Sequence, residues 1–192
     1  MKIAECQLIL SAALGKTRIT VPPGTALCTT AACELEMVRA YASDGADFVA
    51  KNDPVNALAS FFYAFGWLHF GCVHGTLITD MQTPACPFTR PLERLCEEYR
   101  EKLQEKSGRY ERLLATARSS VTCAPDPSTP AYQLAARTLQ VAETYTGQGR
   151  WLMQKGRTED ALANFSYGHG WLDAGVRAGL YGIIAERDLF TV

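Results

Sequence analysis

The chain has 192 residues, of which 47% are hydrophobic and 20% charged, so it has enough apolar material for one large domain or two small ones and shows no general disorder. Its formal net charge of −1 argues against a chain-wide nucleic-acid surface, because phosphate binding requires clustered positive charge. No basic and apolar secretory signal opens the sequence, so we expect a cytoplasmic protein.

The seven cysteines are scattered, and no pair has the C-x-x-C spacing of a zinc knuckle or a redox motif. Small secreted domains that depend on disulfides carry more cysteine per residue than this chain does. We therefore predict free thiols in a reducing cytoplasm, with no disulfide and no structural metal.

Comparison of the chain with itself reveals an internal repeat at an offset of 104 residues. Without any gap, the segment from Lys51 to Leu68 aligns with the segment from Lys155 to Leu172. Identical residues elsewhere in this register include Tyr41 and Tyr145, Gly45 and Gly149, Gly71 and Gly175, Leu10 and Leu114, and Ala13 and Ala117. The repeat predicts an all-α protein made of two tandem three-helix units.

In the first unit, the matches at Leu10 and Ala13 predict a shortened first helix. We predict no strand, because the β-branched run from Thr17 to Val21 ends at two prolines and falls in the loop between helices. The third helix is predicted to begin at Asp53-Pro54, since a cap residue followed by proline is typical of a helix start.

The third helix of the first unit is unusually apolar, with no charged residue from Val55 to Ile78. Its length would allow it to cross a bilayer. Because Asn56, Ser60, His69 and His74 interrupt it, we instead expect it to be buried. We predict that it is the most buried helix, packed against the second unit or across a homodimer. Aspartate should accordingly destabilise far more at Phe62 than at its counterpart Ser166.

His69, Cys72 and His74 have the residue types of a metal site. On a helix, however, His74 projects away from the face that His69 and Cys72 share, and zinc would need a further ligand. We interpret the three as core and interface residues, and we predict neither a metal nor another cofactor.

A stretch rich in proline and threonine, residues 79–90, is the expected linker. It separates a first unit at 1–83 from a second unit at 90–192, with the linker proper at 84–89. Pro91 is expected to open the first helix of the second unit, which carries an apolar stripe from Leu92 to Ala117.

The later helices of the second unit have clear boundary signals. The second helix is expected from about Ala131 to Lys155, with Gly156 as a left-handed C-terminal cap, and the third from near Thr158. Near the ends of the two third helices, glycines four residues apart are predicted to permit close helix packing. They are Gly71, Gly75, Gly175 and Gly179.

The candidate functional residues lie on the last predicted helix. Ser166, His169 and Asp173 project to one side, with Arg177 one turn further on. A Ser-His-Asp set can support nucleophilic catalysis, but it also needs an oxyanion hole and normally gathers residues from separate segments. Because the first unit has other residue types here, we disfavour catalysis. A small-ligand or partner site and a structural hydrogen-bond cluster both stay open.

Tyr167 and Trp171 lie one turn apart beside this polar face, as Tyr63 and Trp67 do in the first unit. Packing against an adjacent helix is favoured over base stacking, because no basic groove accompanies these rings. Tyr167 and Trp171 complete the set of candidate ligand or partner residues.

The segment from Lys155 to Leu180 closely resembles an archaeal family known only as domain of unknown function 357. The likeness extends over roughly Arg90 to Tyr181 and is most specific from Ser166 to Gly179. It implies an archaeal origin and a helical fold, and the family carries no established activity. The first half of the chain is similar to a diverged second copy.

The second and third helices of each unit also loosely resemble tetratricopeptide repeats, which bind proteins. The leading hypothesis is therefore a non-enzymatic protein-interaction or scaffold module with a protein partner or self-association. The alternative is a small-ligand-binding protein or enzyme that uses the polar face around His169 and Asp173. We expect neither a nucleic acid nor a membrane as partner.

Overall fold

A computed structural model describes residues 1–79, 88 and 90–191. Within them, six α-helices form two copies of a three-helix unit, which confirms the predicted fold class. The first unit contains α1 (Ile3–Lys16), α2 (Ala26–Ala50) and α3 (Pro54–His74). The second unit contains α4 (Arg100–Ser119), α5 (Pro130–Gln154) and α6 (Thr158–Arg177). The starts of α2 and α5, and those of α3 and α6, follow the register of the sequence repeat.

Several predicted helix boundaries are confirmed by the backbone. The Asp53 side chain accepts a hydrogen bond from the Asn56 amide at 3.2 Å and so caps the start of α3. Gly156 has a φ of +67°, the left-handed conformation expected just beyond the end of α5. These local signals depend only on neighbouring residues, so they can be read without knowledge of the tertiary structure.

The prediction that Pro91 opens a helix was wrong. Residues 91–96 are not helical, and α4 begins at Arg100 after a short 3-10 turn. The backbone amides of Leu92 and Leu95 donate to the carboxylates of Asp160 and Glu159 at 3.0 and 2.9 Å. Because these amides are directed at the first turn of α6, the segment is held against that helix.

The expectation that the chain has no strand was also wrong. In the first unit β1 (Arg18–Ile19) pairs antiparallel with β2 (Leu77–Ile78), and in the second β3 (Val121–Cys123) pairs with β4 (Tyr181–Ile183). Each pair ties the chain after the first helix to the chain after the third. Two or three residues are too few for an alternating pattern to stand out in the sequence.

The two units meet where α3 packs against α6, as predicted, and Gly66 and Gly170 mark the closest approach. A Cβ at Gly66 would lie 2.5 Å from the carbonyl oxygen of Tyr167, and a Cβ at Gly170 would meet the carbonyl oxygen of Tyr63. No side chain fits between the two backbones there. The contact is reciprocal, so the two units are related by approximate twofold symmetry.

The prediction that α3 is more buried than its counterpart was wrong, because α6 is buried continuously from Glu159 to Val176. Ser166 and Asp173 have no exposed surface, so aspartate at Ser166 is not expected to be neutral. The helix is enclosed because α3, α4 and α5 all pack against it. None of the helices in the described ranges combines the length and apolar character needed to cross a membrane.

The glycines near the ends of α3 and α6 have two different roles. Gly71 and Gly175 are packing positions, because the side chains of Leu77 and Tyr181 lie directly against them. Gly75 and Gly179 have φ values of +82° and +77° and end the helices, so their assignment as packing glycines was wrong.

The predicted linker, residues 84–89, lies outside the described residues except for Phe88. The Phe88 ring is in contact with Phe62, Tyr145 and Tyr167, with ring centroids 5.1 to 5.2 Å apart. One described residue of this region therefore packs against side chains from both units.

Candidate functional site

The structure places five of the six sequence-predicted site residues in the interior. Ser166, Tyr167, His169, Trp171 and Asp173 are all buried. Only Arg177, at the end of α6, is exposed. A partner that stays on the surface would reach only this last residue, whereas a small molecule that enters the interior would meet the others.

Two tyrosines form reciprocal hydrogen bonds between the units. The Tyr63 hydroxyl on α3 donates to the Asp173 carboxylate on α6, and the Tyr167 hydroxyl on α6 lies 2.8 Å from Nδ1 of His69 on α3. His69 and Asp173 occupy equivalent positions of the repeat. Sequence reasoning missed this pairing, although a polar residue at the same position in both copies was a signal for it.

Asp173 is enclosed by hydrogen-bond donors. Besides Tyr63, the Thr191 amide donates to it at 3.0 Å and the Thr191 hydroxyl at 2.8 Å. Arg177 in turn donates to the Thr191 carbonyl oxygen at 3.3 Å. These bonds hold the C-terminal segment, which we define as residues 187–191, across the side of α6.

The electrostatic field of Asp173 extends to two tyrosines. Burial is the main cause that raises the pKa of Tyr63 well above its usual value, and the Asp173 charge adds to it. Burial and Asp173 also raise the pKa of Tyr41, which bonds to Tyr63. Both phenols therefore stay protonated at neutral pH, and the Asp173 charge acts on both of them.

His169 is buried beside the Tyr63 ring, with centroids 5.6 Å apart in an edge-to-face arrangement. Burial lowers its pKa, against the opposing effects of Asp173 and of a hydrogen bond to the Leu189 backbone. The ring is therefore neutral at neutral pH. Its Nε2 has no hydrogen-bond partner among the described residues.

A cavity of about 140 Å³ lies between α3, α4 and the C-terminal segment, and His169 forms part of its wall. Its lining is aromatic, hydroxylic and apolar, and it contains no lysine or arginine. The Lys106 ammonium lies over the ring of Tyr110, one of the lining residues, at 5.1 Å from its centroid and donates to Asn56. The lining residues are Tyr41, Ala59, Ser60, Tyr63, Tyr110, Leu113, His169, Leu189 and Thr191.

In the second unit, the place that corresponds to this cavity is occupied by the ring of Phe88. Tyr145 and Tyr167 are the counterparts of Tyr41 and Tyr63, and the Phe88 ring packs against both of them. Phe65 is the counterpart of His169. The cavity with a histidine in its wall is therefore not duplicated at this place.

The arrangement does not assemble a catalytic triad. Among the residues that the structure describes, Ser166 Oγ and His169 Nε2 both lack hydrogen-bond partners, so they are not bonded to each other. The carboxylate of Asp173 accepts from Tyr63 and Thr191. A nucleophile needs a base within hydrogen-bond reach, and this base in turn needs an orienting group.

The three residues of metal type on α3 are likewise kept apart. His69 bonds to Tyr167, while His74 lies 3.1 Å from the buried Glu34 carboxylate. No group of three potential metal ligands occurs within the described ranges. The six cysteines that these ranges contain are free thiols.

The fold and site define an internally duplicated all-α protein with a cavity close to where its two units meet. A family model described as Protein of unknown function (DUF357) matches residues 7–77 and again 109–181, together well over half of the chain. The chain belongs to this family and carries two tandem copies of its domain, as the resemblance predicted. Comparisons with the curated proteins and with the solved structures found no match.

Proposed function

We propose that this protein binds a small cationic amine in the cavity beneath its C-terminal segment. The observation that carries the proposal is the His169 imidazole, which is 7% exposed, lines the cavity and has no partner at Nε2 among the described residues. Because this ring is neutral and its other nitrogen is engaged by the Leu189 backbone, Nε2 is an acceptor. A buried acceptor without a partner costs about 1–3 kcal/mol, so a ligand N–H group would be favoured there.

The charge of the ligand follows from the groups around the cavity. Asp173 supplies a buried negative charge, and the rings of Tyr41, Tyr63 and Tyr110 form part of the wall. Aromatic faces attract cations, whereas an anion would meet the Asp173 field without a lysine or arginine in the lining. These features favour an ammonium group over a carboxylate or a phosphate.

The size of the ligand is limited by the cavity. A volume of about 140 Å³ corresponds to a molecule of roughly five to ten non-hydrogen atoms. Ala59, Leu113 and Leu189 supply apolar wall for its carbon atoms. We therefore expect a short aliphatic amine rather than a nucleotide or a peptide.

Four probes separate the requirements of the site. Ethylammonium has a charge and N–H donors, tetramethylammonium has only the charge, ethanol has only a donor, and acetate has the opposite charge. Isothermal titration calorimetry should detect saturable binding of ethylammonium and much weaker binding of the other three. His169→Phe, which installs the residue of the twin position, should abolish binding while the thermal midpoint shows that the protein is folded.

Two outcomes would refute the proposal. The first is binding of acetate as tight as that of ethylammonium, which would mean that the Asp173 charge does not select the ligand. The second is equal binding of ethylammonium to the folded His169→Phe variant, which would place the binding elsewhere.

A protein-interaction role is a second candidate. The aromatic surface of α3, which motivated the expectation of self-association, is covered by α6. The support now comes from Leu8 and Ile184, which are 70% and 66% exposed. If these side chains form a contact between two copies, Leu8→Asp should convert a dimer to a monomer in sedimentation velocity. A wild-type protein that is monomeric at all concentrations would remove self-association from consideration.

A further inference from the structure

A second cavity, of about 190 Å³, lies beside α5 and α6 on the second unit. It shares no lining residue with the cavity beneath the C-terminal segment. Only Asn164 in its wall has a counterpart in the lining of that cavity, namely Ser60, so the two walls are built largely from different positions of the repeat. The two cavities have different chemistry and are tested separately.

Asn164 gives the second cavity an unpartnered polar group. The residue is 1% exposed, and its Nδ2 donates to the Asp160 carbonyl oxygen at 2.7 Å. This bond fixes the orientation of the amide, because only the nitrogen can donate to a carbonyl. The Oδ1 atom is a buried acceptor with no partner within the described part of the chain, so a ligand donor that reached it would satisfy it.

Trp151 provides an aromatic wall. It is 53% exposed, whereas Trp67 and Trp171 are buried between the units. The Lys155 ammonium lies over its ring, 5.9 Å from the centroid. Large aromatic side chains at the edge of a pocket are typical of binding sites, because they supply apolar area at a low entropic cost.

Two arginines, Arg90 and Arg157, and one carboxylate, Asp160, line the second cavity, so the formal charge of the lining is positive. Arg157 forms an ion pair with Asp160 at 3.0 Å. Arg90 makes a longer contact of 3.8 Å with the partly exposed Glu5 carboxylate, and its own side chain is largely exposed. Such a surface pair is weak and can be exchanged for a ligand carboxylate.

Three corresponding positions of the first unit are acidic. Gln148, Trp151 and Arg157 occupy the places of Asp44, Asp47 and Asp53. In the second copy, three acidic residues are thus replaced by an amide, an indole and a guanidinium. The second unit therefore has less negative charge at these positions of α5 and at the start of α6 than the first unit has at the matching positions of α2 and α3.

We infer that the second cavity binds a small planar anion. Its ring lies against Trp151, its acidic group faces Arg90, and an O–H or N–H donor at the opposite end bonds to Asn164 Oδ1. The inference does not depend on the amine site proposed above, because its residues and its ligand charge are different.

The test uses 4-hydroxybenzoate, which is planar and has both a carboxylate and a donor. Two analogues each lack one feature, since 4-methoxybenzoate has no donor and 4-hydroxybenzamide has no charge. In proton–nitrogen NMR spectra, 4-hydroxybenzoate should shift the Trp151 indole N–H signal saturably. The indole signals of Trp67 and Trp171 act as controls in the same spectrum and should shift much less.

Asn164→Leu is the decisive variant. Leucine has a similar size and removes the unpartnered acceptor, so the thermal midpoint should stay the same or rise. The dissociation constant for 4-hydroxybenzoate should increase about tenfold or more. His169→Phe, which alters only the other cavity, should leave this binding unchanged.

Three results would overturn the inference. They are a Trp151 signal that does not respond to 4-hydroxybenzoate, equal binding of 4-methoxybenzoate, and an unchanged dissociation constant in folded Asn164→Leu.

Discussion

Replacement of Gly66 by alanine tests the contact that joins the two units. The new Cβ would lie 2.5 Å from the Tyr167 carbonyl oxygen and 3.0 Å from both Gly170 Cα and the Trp171 nitrogen. All three atoms belong to the backbone of α6, so no side chain can rotate away. The helices would have to separate, which would also strain the reciprocal tyrosine hydrogen bonds.

The size of the effect can be worked out from two opposing contributions. Overpacking a close contact costs about 1–3 kcal/mol, and the rigid neighbours place this site at the upper end. Alanine offsets this by about 0.5–1 kcal/mol, because it forms helix better than glycine. We therefore expect a net loss of about 2 kcal/mol, which in a protein of this size lowers the thermal midpoint by roughly 4–8 °C.

The matched control is Gly147→Ala, at a position inside α5 where a Cβ would meet nothing within 4 Å. Only the helix-propensity gain applies there, so this variant should be more stable than wild type. Gly170→Ala should resemble Gly66→Ala because the contact is reciprocal, and the double variant should lose less than the sum of the two. Urea denaturation gives the free energies of unfolding. If Gly66→Ala were stabilised like Gly147→Ala, the close approach of α3 and α6 would be refuted.

Three further predictions follow from buried polar groups. Burial lowers the pKa of His69 from 6.5 to about 4, so the unfolded state takes up a proton on this residue at a higher pH than the folded state does. The stability that a neutral His69 gives the folded protein is therefore fully present above pH 6.5 and is lost as the pH falls toward 4. The loss in unfolding free energy should approach about 3 kcal/mol, measured by urea denaturation across this range. Asp173→Ala should speed hydrogen exchange of the Thr191 amide, which loses its acceptor. Ser166→Asp should lower the thermal midpoint as severely as Phe62→Asp, because both side chains are fully buried.

Each of these predictions has a control. His69→Gln should reduce the slope of the pH dependence between 6.5 and 4 and leave the part that His169 contributes, and an unchanged slope would assign the whole dependence to other groups. Asp188→Ala changes an exposed acid of the same C-terminal segment and should leave Thr191 exchange unaltered. Equal exchange in the two aspartate variants would mean that Asp173 does not anchor the segment. A neutral Ser166→Asp would show that α6 has an exposed face.

The sequence was sufficient for the features set by local signals and by the repeat. The Asp53 cap, the Gly156 cap and the matched starts of α3 and α6 depend on nearby residues or on the duplication itself. The burial of α6 was not predictable in this way. A charged residue such as Asp173 suggests from the sequence that one face of α6 is exposed. In the structure Asp173 is buried and accepts a hydrogen bond from Tyr63, which is 110 residues away in the chain.

The sequence predicted only the part of the candidate site that lies on α6. The sequence singled out His169 and Asp173 because they lie one turn apart on a helix. It gave no reason to bring Tyr41 or Thr191 to them, since these residues come from α2 and from the C-terminal segment. A cavity between several elements has no contiguous pattern, and therefore only the folded arrangement revealed that Asp173 lies close to its tyrosines.

The most direct test of the amine site compares the two buried histidines in one NMR experiment. Neither His69 nor His169 has a partner at Nε2 in the described ranges, and of these two histidines His169 is the one that lines the cavity beneath the C-terminal segment. Ethylammonium should shift the Nε2 nitrogen resonance of His169 saturably and leave that of His69 unchanged. Equal shifts of both resonances, or no shift of His169 at saturating ethylammonium, would contradict the proposed site.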